Sequence, residues 1–192
     1  MIVLGIVCSP RKDGNTEIMM MEALDAAREA GSQTELFLVA DKDIAGCDGC
    51  GSCEKTGVCK IKDDMQTLYE LMETADGIIL GTPVYFDNVT AQAKAVMDRT
   101  YVLLRSRKLR GKVAAALIAA RRIGAGQVLG LLYPYFMVQG MVPAAGGIGY
   151  GMNKGDVRTG VGGSPVLSAM EEARSVGRNT VRMIERLSKA KS

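Results

Sequence analysis

The chain has 192 residues, of which 47% are hydrophobic and 23% are charged, a composition typical of one globular domain with a sizeable core. Its net charge of +3 is too small to indicate a nucleic-acid or membrane-surface partner, and no apolar run is long enough to span a bilayer. The chain contains no histidine, so we expect any bound metal to be held by sulfur or oxygen.

The first residues, "MIVLGIVCSPRKDGNT", predict a strand followed by a turn. No basic segment precedes the apolar run, and Ser, Pro, Gly and Asn follow it at once, so a signal peptide is not indicated. We therefore expect a cytoplasmic protein, in a reducing compartment where stable disulfides are rare.

Apolar runs then alternate with helical spacings along the rest of the chain. The predicted strands cover residues 2–7, 34–39, 77–82, 112–120 and 141–148. The predicted helices cover residues 15–31, 63–75, 90–104, 126–138 and 166–187. Gly31 is a good end for the first helix, and Asp63 with Gln66 forms a capping-box pattern at the start of the second. Pro134 is expected to kink or divide the fourth helix.

This alternation predicts an α/β fold in which right-handed crossovers build a doubly wound, five-stranded parallel sheet with helices on both faces. We expect residues 1–192 to form a single domain. Because such sheets bind ligands beyond the carboxyl ends of their strands, the loops at that edge should form the site. These loops are residues 8–15, 40–63, 83–89 and 120–126, together with the glycine-rich loop after the fifth strand.

The first of these loops, "SPRKDGNT", joins a strand to a helix. Gly14 would let a ligand approach the backbone, and Asn15 and Thr16 place amides and a hydroxyl at a helix N-terminus that favours an anion. Ser9 adds a hydroxyl and Arg11 a guanidinium suited to phosphate oxygens. The alternative is a capped turn with a solvated arginine and lysine. Neither the dinucleotide fingerprint nor a Walker loop is present.

The loop after the third strand, "TPVYFDNVT", carries aromatic residues at the expected mouth of the site. Tyr85 and Phe86 follow Pro83 and could flank a flat ring whose edge Asn88 would bond. For Phe86 the alternative is a hydrophobic plug over the core. After the fourth strand, Arg121 and Arg122 could meet carbonyls or a phosphate, although for at least one of them a solvated arginine is the favoured interpretation.

Four of the five cysteines lie between residues 47 and 59, in "CDGCGSCEKTGVC". Cys47, Cys50, Cys53 and Cys59 are separated by two, two and five residues, and bacterial ferredoxins begin with the same close spacing. Structural zinc more often uses two pairs farther apart. The interpretations are therefore an iron–sulfur cluster, a zinc site, or an empty loop with thiol or disulfide chemistry. Cys8 stands apart and is expected to be a small buried hydrophobic residue.

The segments "SPRKDGNT" and "ADGIILGTPVYFDNVTAQAKAVMDR" resemble the flavodoxin-like NAD(P)H-dependent FMN reductase superfamily. The cysteine spacing is similar to that of the iron–sulfur flavoproteins of anaerobic archaea and bacteria. The resemblance extends over nearly the whole chain, although the C-terminal third matches only in pattern.

The resemblance implies a strand order of 2-1-3-4-5, a bound FMN and a 4Fe–4S cluster on the four clustered cysteines in a loop at 46–60. It implies that the FMN phosphate is held by residues of the first loop, namely Ser9, Arg11, Asn15 and Thr16. It further implies that the flavin ring lies near residues that follow the third strand, namely Pro83, Val84, Tyr85 and Asn88. Homodimers or homotetramers are implied as well.

Three functions follow as hypotheses. The first is an iron–sulfur flavoprotein that transfers electrons between a donor such as ferredoxin and FMN, and then to a small acceptor such as oxygen or peroxide. The second is an NAD(P)H-dependent FMN or quinone reductase without a working cluster. The third is a non-enzymatic redox subunit of a larger assembly. None of them demands a catalytic acid or base from the protein.

The segment "LLYPYFMVQGM" has more apolar surface than one side of a helix needs to bury. Core packing would account for about half of it. We expect Tyr133, Tyr135 or Phe136 to lie at a contact between copies of the chain.

Overall fold

The computed structural model describes residues 1–159 and 168–190. The strands are β1 Ile2–Val7, β2 Gln33–Leu38, β3 Gly77–Pro83, β4 Val113–Ala120 and β5 Val142–Tyr150. The helices are α1 Asn15–Glu29, α2 Ser52–Thr56, α3 Met65–Thr74, α4 Ala91–Arg99, α5 Tyr101–Arg105, α6 Ala125–Val138 and α7 Ala169–Lys189. No helix in the described ranges combines the length and the apolar content needed to cross a membrane.

The five strands form one parallel sheet in the order β2-β1-β3-β4-β5, which confirms the predicted flavodoxin-like architecture. β1, β3 and β4 are buried along nearly their whole length, because they lie at the centre of a sheet that is covered on both faces. Residues of α1 and α7 pack on one face, and residues of α3, α4, α5 and α6 pack on the other.

The packing of α1 against α7 depends on a glycine. A Cβ atom at Gly177 would lie 2.0 Å from the carbonyl oxygen of Ala23, far inside van der Waals contact. The two helix backbones therefore touch at this point. This contact holds the C-terminal helix against the helix that follows the first loop.

The predicted helix over residues 90–104 is two helices, since α4 ends at Arg99 and α5 begins at Tyr101. Thr100, between them, donates a hydrogen bond from its hydroxyl to the carbonyl of Met97 and receives one from Gln139. The expected division at Pro134 is not present, because α6 continues from Ala125 to Val138 with the proline inside it.

The predicted capping box at Asp63 and Gln66 is wrong. Asp63 makes an ion pair with the buried Arg99, and the side-chain amide of Gln66 donates to the carbonyl of Ile61. Both side chains therefore fix the cysteine loop, and Asp63 also accepts a hydrogen bond from Met65 N–H at the start of α3. The short helix α2, inside that loop, was also not predicted.

The C-terminal predictions fall partly on residues that the structure does not describe. Residues 160–165 of the glycine-rich loop and residues 166 and 167 of the predicted last helix lie outside the described ranges. The described part of that helix begins at Ala169. Ser168 and Glu171 form a capping box there, with reciprocal hydrogen bonds of 3.1 Å.

Candidate functional site

The carboxyl ends of β1, β3, β4 and β5 meet at one edge of the sheet, and short main-chain hydrogen bonds tie their loops together. Cys8 N–H donates to the carbonyl of Gly81 at 2.7 Å, and Val84 N–H donates to that of Ala119 at 2.9 Å. The hydroxyl of Thr90 donates to the Cys8 carbonyl at 2.6 Å and also caps α4. The topology therefore places the loops beside one another, as expected for this class of sheet.

The first loop leaves the start of α1 open to a ligand. The N-cap residue of α1 is Gly14, and no side chain caps the helix. Its first N–H groups therefore remain available for an anion at the positive end of the helix dipole. Ser9, which is buried, accepts a hydrogen bond from Arg11 N–H at 3.1 Å, so the hydroxyl fixes the main chain of the loop at Arg11.

The side chain of Asn15 forms hydrogen bonds with the loop after β5, which the sequence did not predict. Its amide nitrogen donates to the carbonyl of Asn153 at 2.8 Å, and its oxygen accepts from Gly155 N–H at 2.8 Å. Asn15 therefore fastens the loop after β5 to the start of α1. Lys154, in that loop, pairs with Asp13 at 3.1 Å.

The loop after β3 is a tight turn. Tyr85 and Asn88 form an antiparallel bridge, while Phe86 and Asp87 adopt positive φ angles of 50° and 57°. Phe86 is fully exposed, so it does not plug the core. The side-chain oxygen of Asn88 accepts a hydrogen bond from Val89 N–H at 2.8 Å, and so Asn88 contributes to the turn itself.

These loops enclose a cavity of about 230 Å³, called here the strand-end cavity. Nine residues proposed from the sequence line it, namely Ser9, Arg11, Gly14, Asn15, Thr16, Pro83, Val84, Tyr85 and Arg121. The remaining lining residues come from the end of β4 and the loop after β5, namely Ala119, Ala120, Gly151, Met152, Asn153 and Lys154. The sequence indicated the loop after β5 but gave no signal for its individual residues, because no motif marks them.

A second cavity of about 700 Å³, called here the outer cavity, adjoins the first. The two share Val84, Arg121 and Met152 as lining residues. Phe86 lies here and not in the strand-end cavity, as do Asp87, Arg122 and Ile123. Among the residues proposed from the sequence for the flavin, Asn88 lines neither cavity.

The clustered cysteines line a third cavity of about 270 Å³, called here the cysteine cavity. All four, Cys47, Cys50, Cys53 and Cys59, contribute to its wall. Partial burial raises the pKa of the Cys53 thiol, and the charges of the other three cysteines raise it further. Cys47 and Cys50 are exposed, and the cavity therefore opens to solvent.

The backbone of the cysteine loop is kept open by glycines. Gly49 and Gly51 adopt left-handed φ angles of 66° and 67°, which other residues rarely do. Within the described residues, no three cysteine or acidic side chains converge on a point where one metal ion could sit.

Cys8 takes no part in this cavity. Its side chain is fully buried in the core, and burial raises the pKa of its thiol to about 12. The prediction that it is a small buried hydrophobic residue is confirmed.

The cysteine cavity and the strand-end cavity have no lining residue in common among the residues described. An ion pair between Lys12 of the first loop and Asp41, just after β2, connects the two regions. The cysteine loop therefore leaves the sheet beside the first loop and then extends to α4 and α5, where Tyr101 of α5 donates a hydrogen bond to Glu54 of α2.

The chain is similar to known proteins along its whole length. Residues 1–152 match the family model described as NADPH-dependent FMN reductase. An iron–sulfur flavoprotein of Methanocaldococcus jannaschii is 38% identical, over 98% of this chain and 100% of that protein. An iron–sulfur flavoprotein of Archaeoglobus fulgidus is 41% identical, over 80% of each chain.

Among solved structures, RosB with a bound 8-demethyl-8-formylriboflavin-5'-phosphate intermediate superposes with a TM-score of 0.78 and 19% identity. The match covers 100% of this chain and 82% of that one, and at this identity it shows the fold alone. The chain thus belongs to the NADPH-dependent FMN reductase family and, within it, to the iron–sulfur flavoproteins, and it is a flavin-dependent oxidoreductase.

Proposed function

We propose that this oxidoreductase transfers electrons between a one-electron donor such as ferredoxin and FMN, and then to a small acceptor such as oxygen or peroxide. It would bind FMN in the strand-end cavity and a 4Fe–4S cluster in the cysteine cavity. The observation that carries the proposal is that four cysteines, none of which lines the strand-end cavity, line one cavity of their own. When bound, a cluster exchanges one electron at a time and a flavin one or two.

The strand-end cavity suits the phosphate and ring of FMN. The uncapped start of α1, with Arg11 and the hydroxyl of Thr16, provides donors for a phosphate. An apolar wall for a flat ring is provided by Pro83, Val84 and Tyr85. The same cavity is also lined by Arg121 and Met152. Asn15 would act by its main-chain N–H and by fixing the loop after β5, since its side chain is engaged.

The cysteine cavity suits a sulfur-ligated cluster. Its volume of about 270 Å³ is several times the roughly 30 Å³ that one water occupies in the liquid, so it has room for more than one ion. A cluster distributes its four thiolate ligands over several irons, and they need not converge on one point. A Cβ atom at Gly49 would meet nothing within 4 Å, so the loop is uncrowded beside Cys50.

The second candidate is an NAD(P)H-dependent FMN or quinone reductase in which the cysteines hold no working cluster. The outer cavity favours it, because Arg121 and Arg122 line a space that adjoins the strand-end cavity. Paired guanidinium groups suit the phosphates of a nicotinamide nucleotide.

A comparison of reductants under anaerobic conditions separates the two. We expect reduced ferredoxin to bleach the flavin of the wild type much faster than NADPH does. The variant with both Cys50→Ala and Cys53→Ala should lose this reaction, whereas Cys8→Ala should keep it. Rapid bleaching by NADPH, equal in the wild type and in the double variant, would support the reductase and contradict the electron-transfer proposal.

A further inference from the structure

Arg99, the last residue of α4, joins the two ends of the cysteine loop. One of its terminal nitrogens, Nη1, donates to the carbonyl of Ala45 at 2.9 Å, and the other, Nη2, donates to that of Ile61 at 3.3 Å. Ala45 lies two residues before Cys47, and Ile61 lies two residues after Cys59. The guanidinium therefore spans the loop at its base.

Asp63 completes this arrangement of Arg99 and the two ends of the cysteine loop, which is called here the clasp. Its two oxygens accept from Nη1 of Arg99 at 2.7 Å and from Nη2 at 2.9 Å, in the bidentate geometry that fixes an arginine most firmly. The same carboxylate accepts from Ala45 N–H at 2.9 Å and from Met65 N–H at 3.1 Å. Arg99 is only 2% exposed, so the pair is withdrawn from water and holds one geometry.

Two more contacts connect the clasp with the thiols. The hydroxyl of Tyr69 donates to the main-chain carbonyl of Arg99 at 2.8 Å, and Tyr69 lines a neighbouring cavity together with Cys59. Arg99 itself forms part of the wall of the cysteine cavity.

One donor of Arg99 has no partner. Its Nε–H group is buried and makes no hydrogen bond to any described residue, although both terminal nitrogens are fully used. Buried N–H groups in folded proteins are nearly always paired, because leaving one unpaired costs the desolvation of that group. A free buried donor on a side chain that lines the cysteine cavity indicates that an acceptor belongs there.

We propose that Arg99 is the positioning residue of the cysteine cavity: it sets the separation of the four thiolates through both ends of the loop and offers Nε–H to the sulfur of a bound cluster. This inference rests on the proposed function. Hydrogen bonds to the sulfurs and nearby charge set the potential of iron–sulfur centres, since both stabilise the form that carries the additional electron. Partners of this kind commonly change metal affinity by about 10–100-fold when they are removed.

The test compares Arg99→Lys, Asp63→Asn and, as a matched control, Arg105→Lys on the exposed surface of α5. Lysine keeps the charge but cannot span Ala45 and Ile61. We expect Arg99→Lys to bind FMN normally, to release iron to a chelator about 10–100-fold faster, and to show a more negative cluster potential with an altered EPR signal. The control should match the wild type in all three measurements.

Asp63→Asn should act in the opposite direction on the potential. It also loosens the clasp, so iron release is faster, but it leaves the charge of Arg99 without its counter-charge and should make the potential more positive. A merely structural role would not shift the two potentials in opposite directions. Hydrogen exchange over residues 45–63 in the iron-free protein, expected to be faster in Arg99→Lys, tests the clasp without any cluster.

Wild-type potential, iron release and hydrogen exchange in both variants would overturn the inference while leaving the proposed function intact. An anaerobic wild type that holds FMN but no iron would contradict the proposed function instead. In that case, unchanged hydrogen exchange in Arg99→Lys would also contradict the role of Arg99 in holding the two ends of the cysteine loop, and faster exchange would support this role.

Discussion

Gly14 shows how a ligand can explain a residue that the fold does not require. Its φ of −82° and ψ of 174° are open to any residue, and a Cβ atom there would lie 3.4 Å from the carbonyl of Arg11, an ordinary contact. Neither strain nor crowding within the described structure therefore demands a glycine. We propose that close approach of a ligand to the start of α1 is the physical reason.

We therefore expect Gly14→Ala to weaken FMN binding about tenfold or more, equivalent to at least about 1.4 kcal/mol, without destabilising the apoprotein. The Kd for FMN, measured by fluorescence quenching, and the unfolding midpoint of the apoprotein would be compared with those of the wild type. An unchanged Kd would show that the phosphate does not approach Gly14.

Asp63 should make stability depend on pH. Burial disfavours its charged form, but the hydrogen bonds from Arg99 and from the main-chain N–H groups of Ala45 and Met65 outweigh burial and lower the pKa of Asp63 below its usual 3.8. Because the pKa is lower in the folded chain than in the unfolded chain, the stabilisation is complete above about pH 3.8 and is lost as the pH falls through the lowered value.

At neutral pH, Asp63→Asn should reduce the free energy of unfolding of the apoprotein by about 3–5 kcal/mol, since it leaves a buried guanidinium without its partner. The difference between variant and wild type should shrink below about pH 3.8. Denaturant titrations at neutral and acid pH measure it. A difference that is independent of pH would mean that the carboxylate does not carry the stabilisation.

Among the helices and strands, the sequence predicted the features that a local residue pattern determines. It missed the features that depend on contacts between residues far apart in the chain. β1, β3 and β4 were predicted almost to the residue, because strands buried on both faces read as unbroken apolar runs. The break at Thr100 was missed, because Gln139, which bonds this threonine, is distant in the sequence. The role of Asp63 was missed for the same reason, since its partner Arg99 is 36 positions away.

The contact between α1 and α7 gives a test at this scale. Gly177→Ala places a methyl group against the backbone of α1 and should reduce the free energy of unfolding by about 1–3 kcal/mol. Gly130→Ala, on α6, is the matched control, because a Cβ atom there meets nothing within 4 Å. It should stabilise by about 0.5–1 kcal/mol. Equal effects of the two substitutions would contradict the close packing of α1 on α7.

At the scale of the whole molecule, much of the candidate site followed from topology. A parallel sheet brings its carboxyl-end loops together, so residues 9–16 and 83–85 could be assigned to one site before the structure was known. The sequence could not show that Phe86 and Asn88 lie outside the strand-end cavity. Their positions depend on a tight turn with positive φ angles at Phe86 and Asp87. It also could not show that the cysteine loop has its own cavity against α4 and α5.

Association is the next property at this scale, and we propose a homodimer or homotetramer. Of the three residues expected at a contact, Phe136 is buried in the core and Tyr133 and Tyr135 are only partly exposed, with the Tyr135 hydroxyl near that of Thr100. Met137 and Val138, at the end of α6, are each 66% exposed and are the better candidates. Light scattering should show an oligomer that the double substitution Met137→Lys and Val138→Lys dissociates, whereas Met21→Lys on α1 does not. A monomeric wild type at micromolar concentration would contradict this proposal.

We propose that one chain holds both a flavin and an iron–sulfur cluster. The content of FMN, iron and acid-labile sulfide tests this in the wild type purified without oxygen, because the exposed Cys47 and Cys50 would leave a cluster open to oxidation. We expect about four irons and about four sulfides for each FMN, with broad absorption beneath the flavin bands. FMN without iron or labile sulfide, in protein kept free of oxygen throughout, would contradict the proposal.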